Sequence, residues 1–195
     1  MKKIIAVLLI LCMTLCFVGC KNKDKNESAP YEIDINYYLG VGQISEATYR
    51  LGLNPDEIEK DAEAQNSGHS HEGGDGHEGI IDYQRFDSKE AYIVDGFYYC
   101  FNEGNEEDGI VCIIGNDTIF GFVCGVTSKY EINSAVSDLN PEISKAEDDE
   151  FFYMPFSMEN IDKLTVKNGN KVLNFYFEND ILISASLYNS DKWEF

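Results

Sequence analysis

GVGQISEATYRLGLNPDEIEK (residues 40–60) and GVTSKYEINSAVSDLNPEISK (residues 125–145) decide how this chain is read. Each opens on Gly-Val, passes through a short amphipathic stretch and reaches Leu-Asn-Pro, followed by an acid and Ile. In the second stretch Ser128 and Glu131 have the spacing of a capping box, and Ile132, Ala135, Val136 and Leu139 recur on one helical face. In the first, Asn54 suits the N-cap and Pro55 the first helical position, Glu57 completes a box, and Leu53 can staple onto Ile58. Each stretch therefore predicts a helical hairpin.

Strand signals follow both hairpins in a similar order. Residues 80–86 match 151–156; residues 90–94 end at Asp95-Gly96 as 164–167 end at Asn168-Gly169. The closing segment FYYCFNEGNEEDGIVCII resembles KVLNFYFENDILISASL, where Leu173, Phe175 and Phe177 alternate, as do Ile181, Ile183, Ala185 and Leu187 across the turn Glu178-Asn179-Asp180. The predicted fold class is α+β: two tandem repeats, each a helical hairpin followed by about four antiparallel strands, with the helices packed on one sheet face. The alternative is two ordinary hairpin regions of shared composition; order, spacing and the Leu-Asn-Pro punctuation favour repetition. Repeat 1 is placed at 31–116 and repeat 2 at 117–195.

The amino-terminal end reads as an address. Lys2-Lys3, an apolar stretch over residues 4–18 and the run Phe17-Val18-Gly19-Cys20 have the form of a bacterial lipoprotein signal, and the stretch is shorter than the ~20 residues of a comfortable membrane span. Residues 1–19 are read as the signal peptide. Lipidation then falls on Cys20, with a diacylglyceryl group holding the chain to the outer face of the cell membrane. Residues 20–30, without apolar periodicity, form a flexible tether. Losing Lys2 and Lys3 takes the formal net charge from -20 to about -22, which disfavours nucleic acid as a partner.

Three cysteines remain outside the signal and the anchor. Cys100 and Cys112 flank a turn-like stretch and, with the turn centred near Glu106, stand opposite each other on one sheet face. A cross-strand disulfide and two buried thiols are both open readings. Cys124 is read as a small core residue.

All the histidines, His69, His71 and His77, lie in NSGHSHEGGDGHEG (residues 66–79), an insert that repeat 2 lacks. With Glu72, Asp75 and Glu78 interleaved they form a candidate ligand set for Zn, Cu or Ni. Ordering so glycine-rich a loop costs roughly 1–2 kcal/mol per residue fixed, so weak, exchangeable capture stands beside a purely polar insert as the reading. No nucleophile–histidine pair, phosphate loop or dinucleotide fingerprint is present. Phe97, Tyr98, Tyr99 and Phe101, with Phe151, Phe152, Tyr153 and Phe156, supply either an exposed aromatic binding face or a covered one.

A Gly-Val turn, a short helix, a Gly- or Pro-punctuated second helix and four strands, repeated in tandem behind a lipobox, resemble the β-lactamase inhibitor protein-like folds, among them the SmpA/OmlA small envelope lipoproteins. Gly40, Leu51, Gly52 and Gly125 carry the resemblance, whereas Ser137-Asp138 stands where a Gly is expected. It implies a non-enzymatic, membrane-anchored module of the cell envelope that binds an envelope or extracellular protein through one sheet face and nearby loops. Surface capture of divalent transition metal is the alternative function.

Overall fold

The computed structural model describes residues 33–67, 82–86, 89–146 and 160–193. Two helices come first, α1 (Ile35–Val41) and α2 (Pro55–Ser67). Strands β1 (Asp82–Phe86), β2 (Lys89–Val94), β3 (Phe97–Asn102) and β4 (Cys112–Gly115) follow, then a small hairpin, β5 (Thr118–Ile119) and β6 (Phe122–Val123). The second half holds α3 (Lys129–Ala135), β7 (Glu142–Lys145), β8 (Asp162–Asn168), β9 (Lys171–Glu178) and β10 (Ile181–Asn189).

Eight strands form one antiparallel sheet in the order β1-β2-β3-β4-β10-β9-β8-β7. Turn chemistry sets much of this register. Asp95 and Gly96 both have positive φ (51° and 81°), the signature of a type I′ turn, and they close β2 on β3 at Val94 and Phe97. Asn179 and Asp180, at 51° and 66°, do the same between β9 and β10, with Ile181 opposite Glu178.

The expectation of two tandem repeats, each a helical hairpin on its own strands, is corrected by this sheet. The described residues form a single large antiparallel sheet with three short helices, and the two Leu-Asn-Pro stretches adopt different structures. In the first, Asn54 accepts the Asp56 N–H at 3.0 Å and Pro55 starts a 13-residue helix. In the second, α3 ends in a 3-10 turn (Ser137–Leu139), Asn140 turns left-handed at φ 52°, and the residues after Pro141 run as the edge strand β7, opposite 162–165 of β8. A ladder on β8 outweighs the weak helix propensity of Glu142–Lys145. Residues 151–156, the predicted counterpart of β1, lie outside the described residues.

The capping box of α3 forms as read: the Ser128 hydroxyl accepts the Glu131 N–H, and Glu131 accepts the Ser128 N–H at 2.8 Å. Three helices and one sheet face share a core. Ile35 and Leu39 of α1, Ile58 of α2 and Ile132 of α3 bury with Phe97, Tyr99, Ile113, Phe175, Phe177, Leu173 and Leu187. Burying each such side chain contributes about 1.5–3 kcal/mol. On the opposite face Cys100, Cys112 and Ile114 lie under Trp193. Further along that face Thr165 donates to Asn174 at 2.8 Å, Asn174 donates to the Tyr176 hydroxyl at 3.1 Å, and Tyr176 meets Ser186 at 3.0 Å. This linked set satisfies polar groups that burial would otherwise leave costly.

α2, the helix that matters for the site, is fixed at its start. Gly52 N–H donates to Ile110 O and Ile110 N–H to Leu53 O, each at 2.8 Å, which ties the α1–α2 connection to the β3–β4 connection. Gly109 is required at this crossing. Its φ is 69°, and a Cβ there would meet the Gly52 backbone at 2.7 Å.

Candidate functional site

The sequence predicts α2 as half of a hairpin packed on a sheet, and its charge pattern supplies the site. Ile58 is fully buried and Pro55 buried, so α2 lies with that face on the core. Asp56 and Glu59 are then left on one flank, above β1 to β3. On the sheet beneath, Tyr83 of β1 stands opposite Tyr92 of β2, and Glu90 opposite Phe101 of β3. These residues, with Pro55, wall a cleft of about 380 Å³.

Aromatic rings form its floor. Tyr83 and Tyr92 have ring centroids 5.7 Å apart, and Tyr92 and Phe101 5.3 Å apart with planes at 30°. Both tyrosines are tied to carboxylates. Tyr92 donates its hydroxyl to Glu59, and burial followed by that hydrogen bond pushes its phenol far above the ordinary range. The Tyr83 phenol is also raised, chiefly by its hydrogen bond to Glu90. The hydroxyls stay protonated donors at neutral pH, and of the three rings that of Tyr83 is exposed.

Asp56, Glu59 and Glu90 thus meet three aromatic rings in one open cleft, and among the described residues no Lys or Arg lines it. The nearest cation in register is Arg85, opposite Glu90, and its guanidinium pairs with Glu103. Such a wall can hold a cation in two ways, by charge and by the negative face of an aromatic ring.

Two further clefts contrast with it. One, of about 310 Å³ on the other flank of α2, includes Glu57 and Asp61 but carries Arg50 in its wall. Another, of about 290 Å³ beside α3, is lined by Tyr130 and Ile143, and its Lys129 is already bonded to Asp162 at 2.6 Å and Asp180 at 2.5 Å. Each of these holds its own cation.

The structure reaches only some of the residues singled out from sequence. Cys20 and the histidine insert, with His69, His71, His77, Glu72 and Asp75, lie outside the described residues. Among the described residues no group of three or more His, Cys, Asp or Glu could hold a metal ion. Likewise, no helix among them is long and apolar enough to cross a membrane. Cys100 and Cys112 are register partners across β3 and β4, both buried and both free thiols; burial, then hydrogen bonding to Cys100, pushes the Cys112 thiol up. Of the aromatic strand, Phe97, Tyr99 and Phe101 are buried on the helix side. Tyr99 accepts the Thr48 N–H at 3.0 Å and has its phenol raised to about 12, mainly by burial.

The cleft itself escaped the sequence reading, because Tyr83, Glu90 and Tyr92 carry no motif. The one available signal was the alternation Glu90, Tyr92, Val94 beside an acidic helix flank. Comparison with protein-family models, curated proteins and solved structures finds no match for the chain.

Proposed function

We propose that this chain is a membrane-anchored, extracytoplasmic lipoprotein acting as a non-enzymatic protein-binding module of the cell envelope, and that the α2–sheet cleft seats a basic side chain of its partner. One observation carries the reading: Asp56, Glu59 and Glu90 converge with Tyr83, Tyr92 and Phe101 on an open cleft that, among the described residues, no Lys or Arg lines. A strongly acidic chain, at net charge -20, supports it by attracting basic partners over distance. Lipid attachment at Cys20 supplies the location in this reading. It rests on the form of residues 1–20.

The test is titration of a lysine-rich peptide into wild type and into an E59Q/E90Q double variant. Binding that weakens at least about tenfold in the variant supports the reading, since charged partners inside a cleft are worth more than surface pairs. Equal binding by both proteins removes the cleft from the account. Metal capture through His69, His71 and His77 is the second reading, favoured by the interleaving of those imidazoles with Glu72 and Asp75 in the sequence. Zn²⁺ and Cu²⁺ titrations into the chain with and without residues 67–79 separate it: heat lost with the insert would favour metal.

A further inference from the structure

We propose that β1 is a docking edge, to which an extended segment of the partner adds as a further strand and from which it lowers one lysine or arginine into the cleft. This rests on the reading of the cleft given above and names how its ligand arrives.

The main-chain geometry follows from one turn. The type I′ turn at Asp95 and Gly96 closes on Val94 and Phe97, and the closing pair of a two-residue hairpin exchanges both hydrogen bonds. Alternation along β2 then directs the peptide groups of Val94, Tyr92 and Glu90 toward β3. Those of Ile93, Ala91 and Lys89 point toward β1, where they meet Asp82, Gln84 and Phe86. The N–H and C=O groups of Tyr83 and Arg85 therefore face outward. Among the described residues β1 pairs with β2 alone, so this edge is a template for another strand.

Side chains add the selectivity. Directly opposed residues of an antiparallel pair share a sheet face, with Cβ atoms roughly 4.5–5.5 Å apart. A partner residue opposite Tyr83 accordingly projects on the cleft side, beside a ring that is 51% exposed and bonded through its hydroxyl to Glu90. A lysine or arginine there lays its stem along the Tyr83 ring and its charge near Glu90 and Glu59. Two positions along, the partner residue faces Arg85, where a second cation is repelled. The occupant is thus an extended segment with a base opposite Tyr83 and a neutral or acidic residue opposite Arg85. Among the described residues the far edge, β7, offers no equivalent: Lys145 there bonds to Asp162 at 2.5 Å, and the neighbouring cleft contains Lys129.

The experiment uses a short Thr/Val peptide with one central lysine, titrated into the folded chain and followed by amide exchange and calorimetry. Arg85→Pro removes an outward N–H without touching the β1–β2 ladder, and Arg85→Ala controls for the lost charge. We expect Arg85→Ala to bind as well as or better than wild type and Arg85→Pro to bind at least about tenfold more weakly. A peptide N-methylated on the residues that bond Tyr83 and Arg85 should show the same loss, which keeps the test valid if the proline variant fails to fold. Exchange protection at Tyr83 and Arg85 on binding is the third expected result.

Equal affinity for Arg85→Pro and Arg85→Ala, or for the methylated and plain peptides, overturns strand addition. If E59Q/E90Q still abolishes binding in that case, the cleft reading stands without it. A peptide bound equally well with glutamate in place of its lysine overturns both. Concentration-dependent dimerisation abolished by Arg85→Pro would assign the edge to a second copy and overturn the proposal.

Discussion

The Tyr92 hydroxyl donates to the Glu59 carboxylate, joining the second strand of the sheet to the helix above it. The bond lies in the wall of the cleft and ties α2 to the strands. It also separates structure from recognition, because the hydroxyl can be removed while the ring stays.

Tyr92→Phe keeps the ring and loses the bond. Charge-assisted hydrogen bonds contribute about 1.5–3 kcal/mol, less where one partner is exposed as Glu59 is. A loss of about 1 kcal/mol is expected, a fall in melting temperature of roughly 2–4 °C for a domain of this size. Peptide binding should persist in Tyr92→Phe and fall in Tyr92→Ala, a contrast that thermal unfolding and titration read together.

Gly109→Ala tests the crossing that positions α2. A Cβ there meets backbone atoms of Gly52 and Leu53 at 2.7–2.8 Å with φ at 69°, whereas one at Gly104, at φ 71°, meets nothing within 4 Å. Gly104→Ala should cost about 1 kcal/mol from the left-handed backbone alone, and Gly109→Ala at least about 2 kcal/mol because the loops must separate. Urea unfolding of both variants checks the ranking. Equal destabilisation would mean that the crossing is not tight.

The thiols make a prediction with a definite sign. Burial raises Cys112 well above the ordinary thiol range and Cys124 to about 12, so both remain protonated, and therefore unreactive, at pH 8. Iodoacetamide should leave Cys100, Cys112 and Cys124 unmodified in the native chain and label them on unfolding. Rapid native labelling of Cys112 would contradict the burial seen here.

Asp162 couples α3, β7 and β8. Its carboxyl is held below the usual range by hydrogen bonds from Lys129 and then Lys145, and Lys129 is raised in turn by Asp162 and Asp180. A depressed acid stabilises above its unfolded value of about 3.9 and loses that contribution as pH falls through its folded value. A raised lysine stabilises below about 10.4 and loses it as pH rises through its folded value. The network therefore acts between about pH 4 and 10. Partial exposure limits it to about 1 kcal/mol or less. The stability gap between wild type and Asp162→Asn should be present at pH 7 and shrink progressively as pH falls below about 4, as measured by urea unfolding at each pH.

Local signals were legible wherever short-range chemistry decides the outcome. The Ser128–Glu131 box, the Asn54 cap, the Asp95-Gly96 turn and the opposition of Cys100 to Cys112 all follow from neighbouring residues or a single turn. Long-range pairing was not legible. Leu139-Asn140-Pro141 reads like Leu53-Asn54-Pro55, and only the β8 strand twenty residues on makes the first precede a strand and the second a helix. The cleft was hidden for the same reason. Glu59 and Tyr92 lie 33 residues apart, and nothing local shows that β2 passes beneath α2.

The most direct test of the account is the site at which a basic peptide binds the folded chain, mapped by backbone amide shifts during titration with the lysine-bearing Thr/Val peptide. Shifts should concentrate at Tyr83, Arg85, Glu90, Tyr92 and Glu59 and fall away with added salt. Shifts centred instead on α3 and β7, or no saturable shifts at all, would contradict it.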